Sequence, residues 1–297
     1  MKTSGQFLLI FFLGSSLLLP LSSAQKKTNL LILTSIYPLY DFCRVISGDF
    51  FDVQLLLPAG VSPHHWQPRF SDMTKLEKAA ALVHIGPALE PWVKDLVRTL
   101  KNRDLKLISF EDLCFLKEEE DQLDPHIWLD FQLDIKIIQR LAKALSDLVP
   151  AANQELHSRA NEYIEKLKDL DSLYRKTLSS CRQRTIIVDG HGAFHYLTRR
   201  YNLKLISLHG LNPEAEMRPS KIKQMLDLIR QEKVKAIFFE AGSNPRLAHL
   251  IKNNSEIKIL PLYPGHSALY NEKKEEAGFI SLMKENLKNL KEGLSCD

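Results

Sequence analysis

Between Ala151 and Leu178 the sequence runs without a glycine or a proline, and its apolar residues recur three and four positions apart. Leu156, Ala160, Tyr163, Ile164, Leu167, Leu170, Leu173 and Tyr174 share one side of a 3.6-residue repeat, which predicts a single long helix with that side against a core. On either side of it the pattern changes to short apolar runs alternating with helical stretches, the signature of an α/β protein. Strands are predicted at 30–34, 51–57, 81–85 and 106–109 before the helix, and at 185–188, 203–208, 235–239 and 257–262 after it. Helices at 39–46, 71–79 and 89–100 separate the first four strands, with Ser71 and Asp72 as a cap for the second helix. A charged helical pattern also begins near Asp134 and breaks at Pro150. The fold class expected is therefore α/β, with two α/β lobes joined by a single long helix. The predicted partition is a first lobe over 25–148, the linking helix over 149–180 and a second lobe over 181–297. No internal sequence repeat and no low-complexity tract interrupts this order.

The first 24 residues are set apart. Lys2 is their only charge, an apolar run from Phe7 to Leu21 follows, and Ser22-Ser23-Ala24 offers the small residues that a signal peptidase reads. The run is broken by Gly14, Ser15, Ser16 and Pro20 and falls short of the roughly 20 residues of a spanning helix. The mature chain is expected to begin at Gln25, exported and soluble, which in a two-membrane bacterium means the periplasm. No cysteine stands near the cleavage site, so no lipid anchor is expected. The formal net charge of +4 falls to +3 once Lys2 is removed, too little to argue for a nucleic-acid partner. No later apolar stretch reaches membrane length. Cys43, Cys114, Cys181 and Cys296 contain no C-x-x-C, which argues against a zinc knuckle or a thioredoxin-type motif. Export permits disulfides. Four cysteines allow three pairings and the sequence does not choose among them; pairing within each half is the simpler hypothesis.

Three histidines sit in separate aromatic-rich contexts, each expected after a strand. They are His64 in Pro63-His64-His65-Trp66-Gln67-Pro68, His126 in Asp124-Pro125-His126-Ile127-Trp128-Leu129, and His191 in Asp189-Gly190-His191-Gly192-Ala193-Phe194. Neutral imidazole is the commonest metal ligand, and one ligand from each of several loops suits a cation held between surfaces. His64 follows the strand ending near Leu57 and His191 the strand ending at Val188, where α/β sheets bind their ligands. That places a metal site in the cleft between the lobes.

These motifs carry a family resemblance. The chain resembles the zinc/manganese-binding solute-binding proteins of ABC importers, cluster A-I, in its zinc-type form. Ile36-Tyr37-Pro38-Leu39 and the run from Leu57 to His64 are similar to the family's opening strand and first ligand loop. Pro63-His64-x-Trp66-Gln67-Pro68 matches the form P-H-x-[YW]-[EQ]-P, which carries the ligand role onto His64 and not onto His65. The stretch from Ala80 to Trp92, the motifs around His126 and His191, Asn212-Pro213-Glu214 and the region of Asn286 and Leu287 follow in the family's order. The resemblance implies a non-enzymatic, monomeric metal-binding protein that captures Zn(II) and delivers it to an ABC permease and its ATPase. Mn(II) is less favoured, because manganese-type members replace the third histidine with a carboxylate. A nitrogen site does not by itself exclude copper, nickel or cobalt.

Two departures from the family pattern stand out. The last strand usually ends in a form like L-D-P-L-G, and this chain reads Leu262-Tyr263-Pro264-Gly265-His266, with Tyr263 at the carboxylate position. Water, His266 or a loop carboxylate are the candidates for a fourth ligand. The histidine-rich loop of some zinc-specific members is replaced by the acidic stretch 117–124, read as a solvated charge run. Among the other histidines, His65 is placed at the cleft, His84 in packing at a strand end, His157 and His249 on exposed helix positions, and His209 beside the ligands. His191 and His195 stand four apart as in helical zinc proteases, but Gly192 occupies the place of the glutamate that chemistry needs. The alternative readings are an exported zinc-dependent hydrolase and a surface adhesin of the same fold.

Overall fold

A computed structural model of the chain describes residues 30–117, 122–207, 219–231, 234–243, 257–267 and 278–297. The predicted signal segment, His209, His249, Asn212-Pro213-Glu214 and positions 118–121 of the acidic stretch lie outside these residues. Among the described residues, two parallel sheets of four strands each form the frame. The first contains β1 (Leu30–Thr34), β2 (Phe51–Leu55), β3 (Ala81–His84) and β4 (Lys106–Ser109), in the order β2-β1-β3-β4. The second contains β5 (Thr185–Asp189), β6 (Lys204–Ser207), β7 (Ala236–Glu240) and β8 (Lys258–Leu262), in the order β6-β5-β7-β8. Leu30 faces Phe51 across the first sheet and Val188 faces Phe238 across the second. Parallel strands covered on both faces read as continuous apolar runs, and β3 and β5 are buried along their whole length.

The two sheets have one topology. In each, the first strand lies between the second and the third, so the chain changes direction between β1 and β3 and again between β5 and β7. The carboxyl ends of those strand pairs are where sheets of this kind open a binding crevice.

Eight helices complete the described architecture: α1 (Tyr37–Ser47), α2 (Phe70–Leu76), α3 (Trp92–Thr99), α4 (Phe131–Leu148), α5 (Asn153–Ser179), α6 (His195–Arg200), α7 (Pro219–Gln231) and α8 (Phe279–Gly293). In α2 the cap differs from the expected one. The helix starts after Arg69, and Asp72 accepts the Arg69 backbone N–H at 2.8 Å from inside the first turn, so Ser71 is not the cap.

Helix α5 spans 27 residues, about 40 Å at 1.5 Å per residue. Its inward face contains Leu156, Ala160, Tyr163, Ile164, Leu167, Leu170, Tyr174 and Leu178. Leu173, expected on that face, is 44% exposed. Asp171 turns inward instead, where Arg200 donates to both of its oxygens (2.7 and 2.6 Å) and Tyr201 donates at 2.7 Å. A buried carboxylate is tolerable once it is paired and hydrogen-bonded in this way. Toward the first lobe the Tyr163 hydroxyl donates to Asp41 of α1 at 2.8 Å, and toward the second the Tyr174 hydroxyl donates to the Met283 carbonyl of α8 at 2.5 Å. Phe42 of α1 meets Phe279 of α8 edge-on at 5.1 Å. A single apolar core thus runs from Ile32 and Phe42 through Leu156, Leu167 and Tyr174 to Phe238 and Leu287. The long helix is the centre of that core, and separate clusters cover only the outer faces of the two sheets.

Cys181, just past α5, and Cys296, just past α8, form a disulfide. Cys43 and Cys114 are buried free thiols. Pairing within each half therefore holds for the second half only.

Candidate metal centre

The structure brings His64, His126 and His191 together. One ring nitrogen from each lies within 4.8 Å of the other two, and the ring centroids stand 5.1 to 5.4 Å apart. His64 comes from the loop after β2 and His191 from the turn after β5. His126 does not follow a strand directly: β4 ends at Ser109, and His126 stands at the head of a 3-10 turn, Ile127–Leu129, that leads into α4. His126 and His191 are fully buried, and His64 is half-buried.

Each deep imidazole is held by a carboxylate. Asp124 Oδ1 accepts the His126 backbone N–H at 2.8 Å and lies 2.7 Å from His126 Nδ1, so the Asp-Pro-His sequence folds back on its own ring. Glu240, the last residue of β7, places Oε2 2.5 Å from His191 Nδ1. That pair sits where β5 and β7 end side by side, at the change of direction in the second sheet. An ionised carboxylate only accepts, so Nδ1 of each ring bears the proton and Nε2 bears the lone pair. The two Nε2 atoms face each other 3.2 Å apart, and His64 Nε2 is buried with no hydrogen-bond partner. Opposed lone pairs at that distance repel unless a cation lies between them. With Zn–N bonds near 2.05 Å, one edge of a tetrahedron of nitrogens is roughly 3.3 Å, close to the His126–His191 spacing.

Burial and the neighbouring rings set the ionisation. Burial, with the nearby rings of His126 and His191, pushes His64 down to about 2, so its ring is neutral. Burial also lowers His126, opposed by Asp124. Burial would raise Asp124, but the His126 ring beside it holds its carboxyl at about 2. Burial would raise Glu240, but the His191 hydrogen bond together with the nearby His191, His266 and His126 rings holds it below its ordinary value. The result is a cluster of three imidazoles backed by two carboxylates, with the His64 ring neutral.

The remaining predicted residues fall into place around it. His65 is exposed, which leaves His64 as the member of the pair that faces the triad. His195 opens α6, with Nδ1 3.5 Å from Asp124 Oδ2, and does not join the triad, so the protease-like spacing does not produce a shared site. His84 is buried at the end of β3, and His157 is exposed on α5, both as expected. Trp128 does more than pack: its indole N–H donates to the Pro264 carbonyl at 2.7 Å, tying the His126 loop to the segment after β8. Glu240, the carboxylate beside His191, is the neighbour that sequence reasoning missed. It stands 49 positions from His191, and the only available signal was a glutamate closing a predicted strand.

The model of the family described as ZnuA, zinc-uptake complex component A, periplasmic, matches residues 32–293. The chain belongs to this family. It is 31% identical to the zinc-binding lipoprotein AdcA of Streptococcus pneumoniae (strain ATCC BAA-255 / R6), over 93% of this chain and 58% of that protein. It is 29% identical to the high-affinity zinc uptake system protein ZnuA of Bacillus subtilis (strain 168), over 92% of this chain and 90% of that one. The crystal structure of Zn(II)-bound AdcA from Streptococcus pneumoniae superposes with a TM-score of 0.79 at 31% identity, covering 91% of this chain and 59% of that chain. The metal-dependent lipoprotein YcdH from Bacillus subtilis gives 0.78 at 28% identity, covering 90% and 99%. The chain thus spans a little over half the length of the AdcA relatives and nearly all of the Bacillus ones. Among the described residues no helix is long and apolar enough to cross a membrane.

Proposed function

We propose that this chain captures a zinc ion outside the cytoplasmic membrane and delivers it to an ABC permease and its ATPase, with His64, His126 and His191 as ligands. The observation that carries this reading is the convergence of three imidazoles at a lobe boundary, two of them fixed by carboxylates so that Nε2 faces a common point. Relatives named for zinc binding and zinc uptake support zinc as the cargo. Nitrogen donors also suit zinc better than manganese, which prefers oxygen ligands and a higher coordination number. Asp124 and Glu240 raise the basicity of the rings they hold and place two negative charges behind a doubly positive ion.

The protein is proposed to act as a monomer in the periplasm, after removal of residues 1–24, with lobes 25–148 and 181–297 around the helix at 149–180. A hydrolase would need a general base beside a metal-bound water. The carboxylates closest to the triad, Asp124 and Glu240, are committed to imidazole Nδ1 atoms, which favours capture over catalysis. The test is a crystal structure of the zinc-loaded protein with anomalous scattering collected on both sides of the zinc edge. A single anomalous peak bounded by His64, His126 and His191 is expected; a zinc ion bound elsewhere on the chain would overturn the reading.

A further inference from the structure

Three imidazoles leave a tetrahedral ion one donor short. At the position where the family pattern carries an aspartate, this chain has Tyr263, and Tyr263 is engaged elsewhere. Its backbone N–H donates to Asn286 Oδ1 at 2.8 Å, its carbonyl accepts from Asn286 Nδ2 at 2.8 Å, and its side chain packs against the main core.

Three residues further on, His266 is 8% exposed, and its Nδ1 is buried with no hydrogen-bond partner. An imidazole taken out of water with a nitrogen unmatched is an unfavourable arrangement unless something fills the vacant valence. The His266 ring lies 6.4 Å from that of His191, centroid to centroid, about 1 Å beyond the triad's own spacing. Its nitrogens stand outside the cluster that the other three form, and closing on a shared ion calls for a change of side-chain torsion at His266.

The segment that presents His266 is anchored to the loops that present the other ligands. Trp128, two residues after His126, donates to the Pro264 carbonyl at 2.7 Å. The Tyr37 N–H donates to the His266 carbonyl at 3.1 Å. The N–H of Gly60, four residues before His64, donates to Ser267 Oγ at 2.7 Å. Gly265 makes the turn between these anchors at φ +80°, a conformation that a glycine adopts without strain. Three residues of the first lobe therefore hold this segment of the second lobe at the edge of the triad.

We infer that His266 is the fourth zinc ligand of this chain, an imidazole replacing the carboxylate that the family pattern places three residues earlier. The inference rests on the proposed triad. Charge does not require a carboxylate at the fourth position, because Asp124 and Glu240 already supply two negative charges behind His126 and His191. Four nitrogens and no oxygen also set this site further from manganese than a site of three nitrogens and a carboxylate.

X-ray absorption at the zinc edge, on the full mature chain loaded with one zinc, counts the imidazoles directly and needs no variant. Four imidazoles are expected; three imidazoles with one oxygen would overturn the assignment. In chelator competition, His266→Ala is expected to raise the zinc Kd about tenfold or more, while Tyr263→Phe leaves it unchanged. His266→Gln, with melting of the metal-free protein as a check on folding, separates loss of a ligand from loss of structure. If His64→Ala, His126→Ala and His191→Ala all bind zinc as the unmodified protein does, the triad itself is wrong and this inference fails with it. If those three lose zinc while His266→Ala retains full affinity, only the fourth ligand is wrong.

Discussion

Glu240 Oε2 lies 2.5 Å from Nδ1 of His191; Glu240 ends β7 and His191 follows the end of the adjacent strand β5, at the point where the second sheet changes direction. The first sheet has a counterpart. Ser35, after β1, donates to Glu90 at 2.5 Å, and Glu90 also accepts the backbone N–H groups of Ile85 and Gly86 after β3. Each lobe therefore has a glutamate at its switch point, Glu90 buried and Glu240 partly buried, but only Glu240 is offered an imidazole. Glu90, raised to about 7 by burial against its hydrogen bonds, ties strand ends together, whereas Glu240 holds a ring in one tautomer.

That difference makes a prediction. Glu240→Gln keeps the shape but removes the charge that fixes and polarises His191, so zinc affinity should fall by about 10–100-fold. Glu90→Gln, which only joins strand ends, should lower the melting temperature with little change in zinc affinity once the protein is folded. Competition titration and thermal melting of both variants check this. Equal loss of affinity in the two would show that Glu240 acts through the fold and not through His191.

The triad makes a second prediction. His64→Ala, His126→Ala and His191→Ala should each weaken zinc binding strongly, while exposed His65→Ala changes little. His195→Ala should have an intermediate effect, because His195 Nδ1 is 3.5 Å from the carboxylate that holds His126. Titration calorimetry on the five variants decides it. A loss at His65 equal to that at His64 would mean that the wrong member of the pair had been assigned.

Much of this was legible in the sequence because the relevant signals are local. β1 and β4 fall at their expected limits since four- or five-residue apolar runs between turns leave little choice of register. The long helix was readable because no glycine or proline interrupts it. Asp171 was not, since the apolar periodicity has no sign for a carboxylate whose partners, Arg200 and Tyr201, lie 29 and 30 positions away. The shared strand order of the two sheets was invisible for the same reason: topology is fixed by backbone pairing, and the two halves satisfy it with unrelated side chains. His64, His126 and His191 were found through motifs, whereas Glu240 becomes visible only when β5 and β7 lie side by side.

The pH response follows from the buried rings. Unperturbed imidazoles, with pKa near 6.5, would make zinc compete with protons at all three rings between roughly pH 7 and pH 5. Burial lowers His64 to about 2, so that ring is already neutral in the folded, metal-free protein, and burial shifts His126 in the same direction against Asp124. The number of protons released per zinc in that range should then be well under three, read from the slope of log Kd against pH. The cost appears in stability instead. His64, His266 at about 3 and His84 at about 4 are all depressed below their unfolded value. The unfolded chain therefore binds more protons below pH 6.5, and stability is lost as pH falls from about 6.5 toward 4. Denaturant unfolding of the metal-free protein across that window should show a stability that decreases with acidity; a flat curve would contradict the buried, neutral rings.

The disulfide gives the last prediction. Cys181 follows α5 and Cys296 follows α8, 115 residues apart, so the bond closes the second lobe on itself and joins the ends of these two helices. Backbone pairing accompanies it, with the Gln183 N–H on the Leu294 carbonyl at 3.1 Å. Closing a loop of about 100 residues restricts the unfolded chain enough to contribute roughly 3–5 kcal/mol. Replacing both cysteines with serine should lower unfolding free energy by about that amount, measured with guanidinium under conditions where Cys43 and Cys114 stay reduced. Zinc affinity should stay close to that of the unmodified protein, because His191 and Glu240 stand at the carboxyl ends of β5 and β7 while Cys181 precedes the amino end of β5. A large loss of affinity with little loss of stability would show instead that the disulfide acts on the site, and that the two ends of the sheet are coupled.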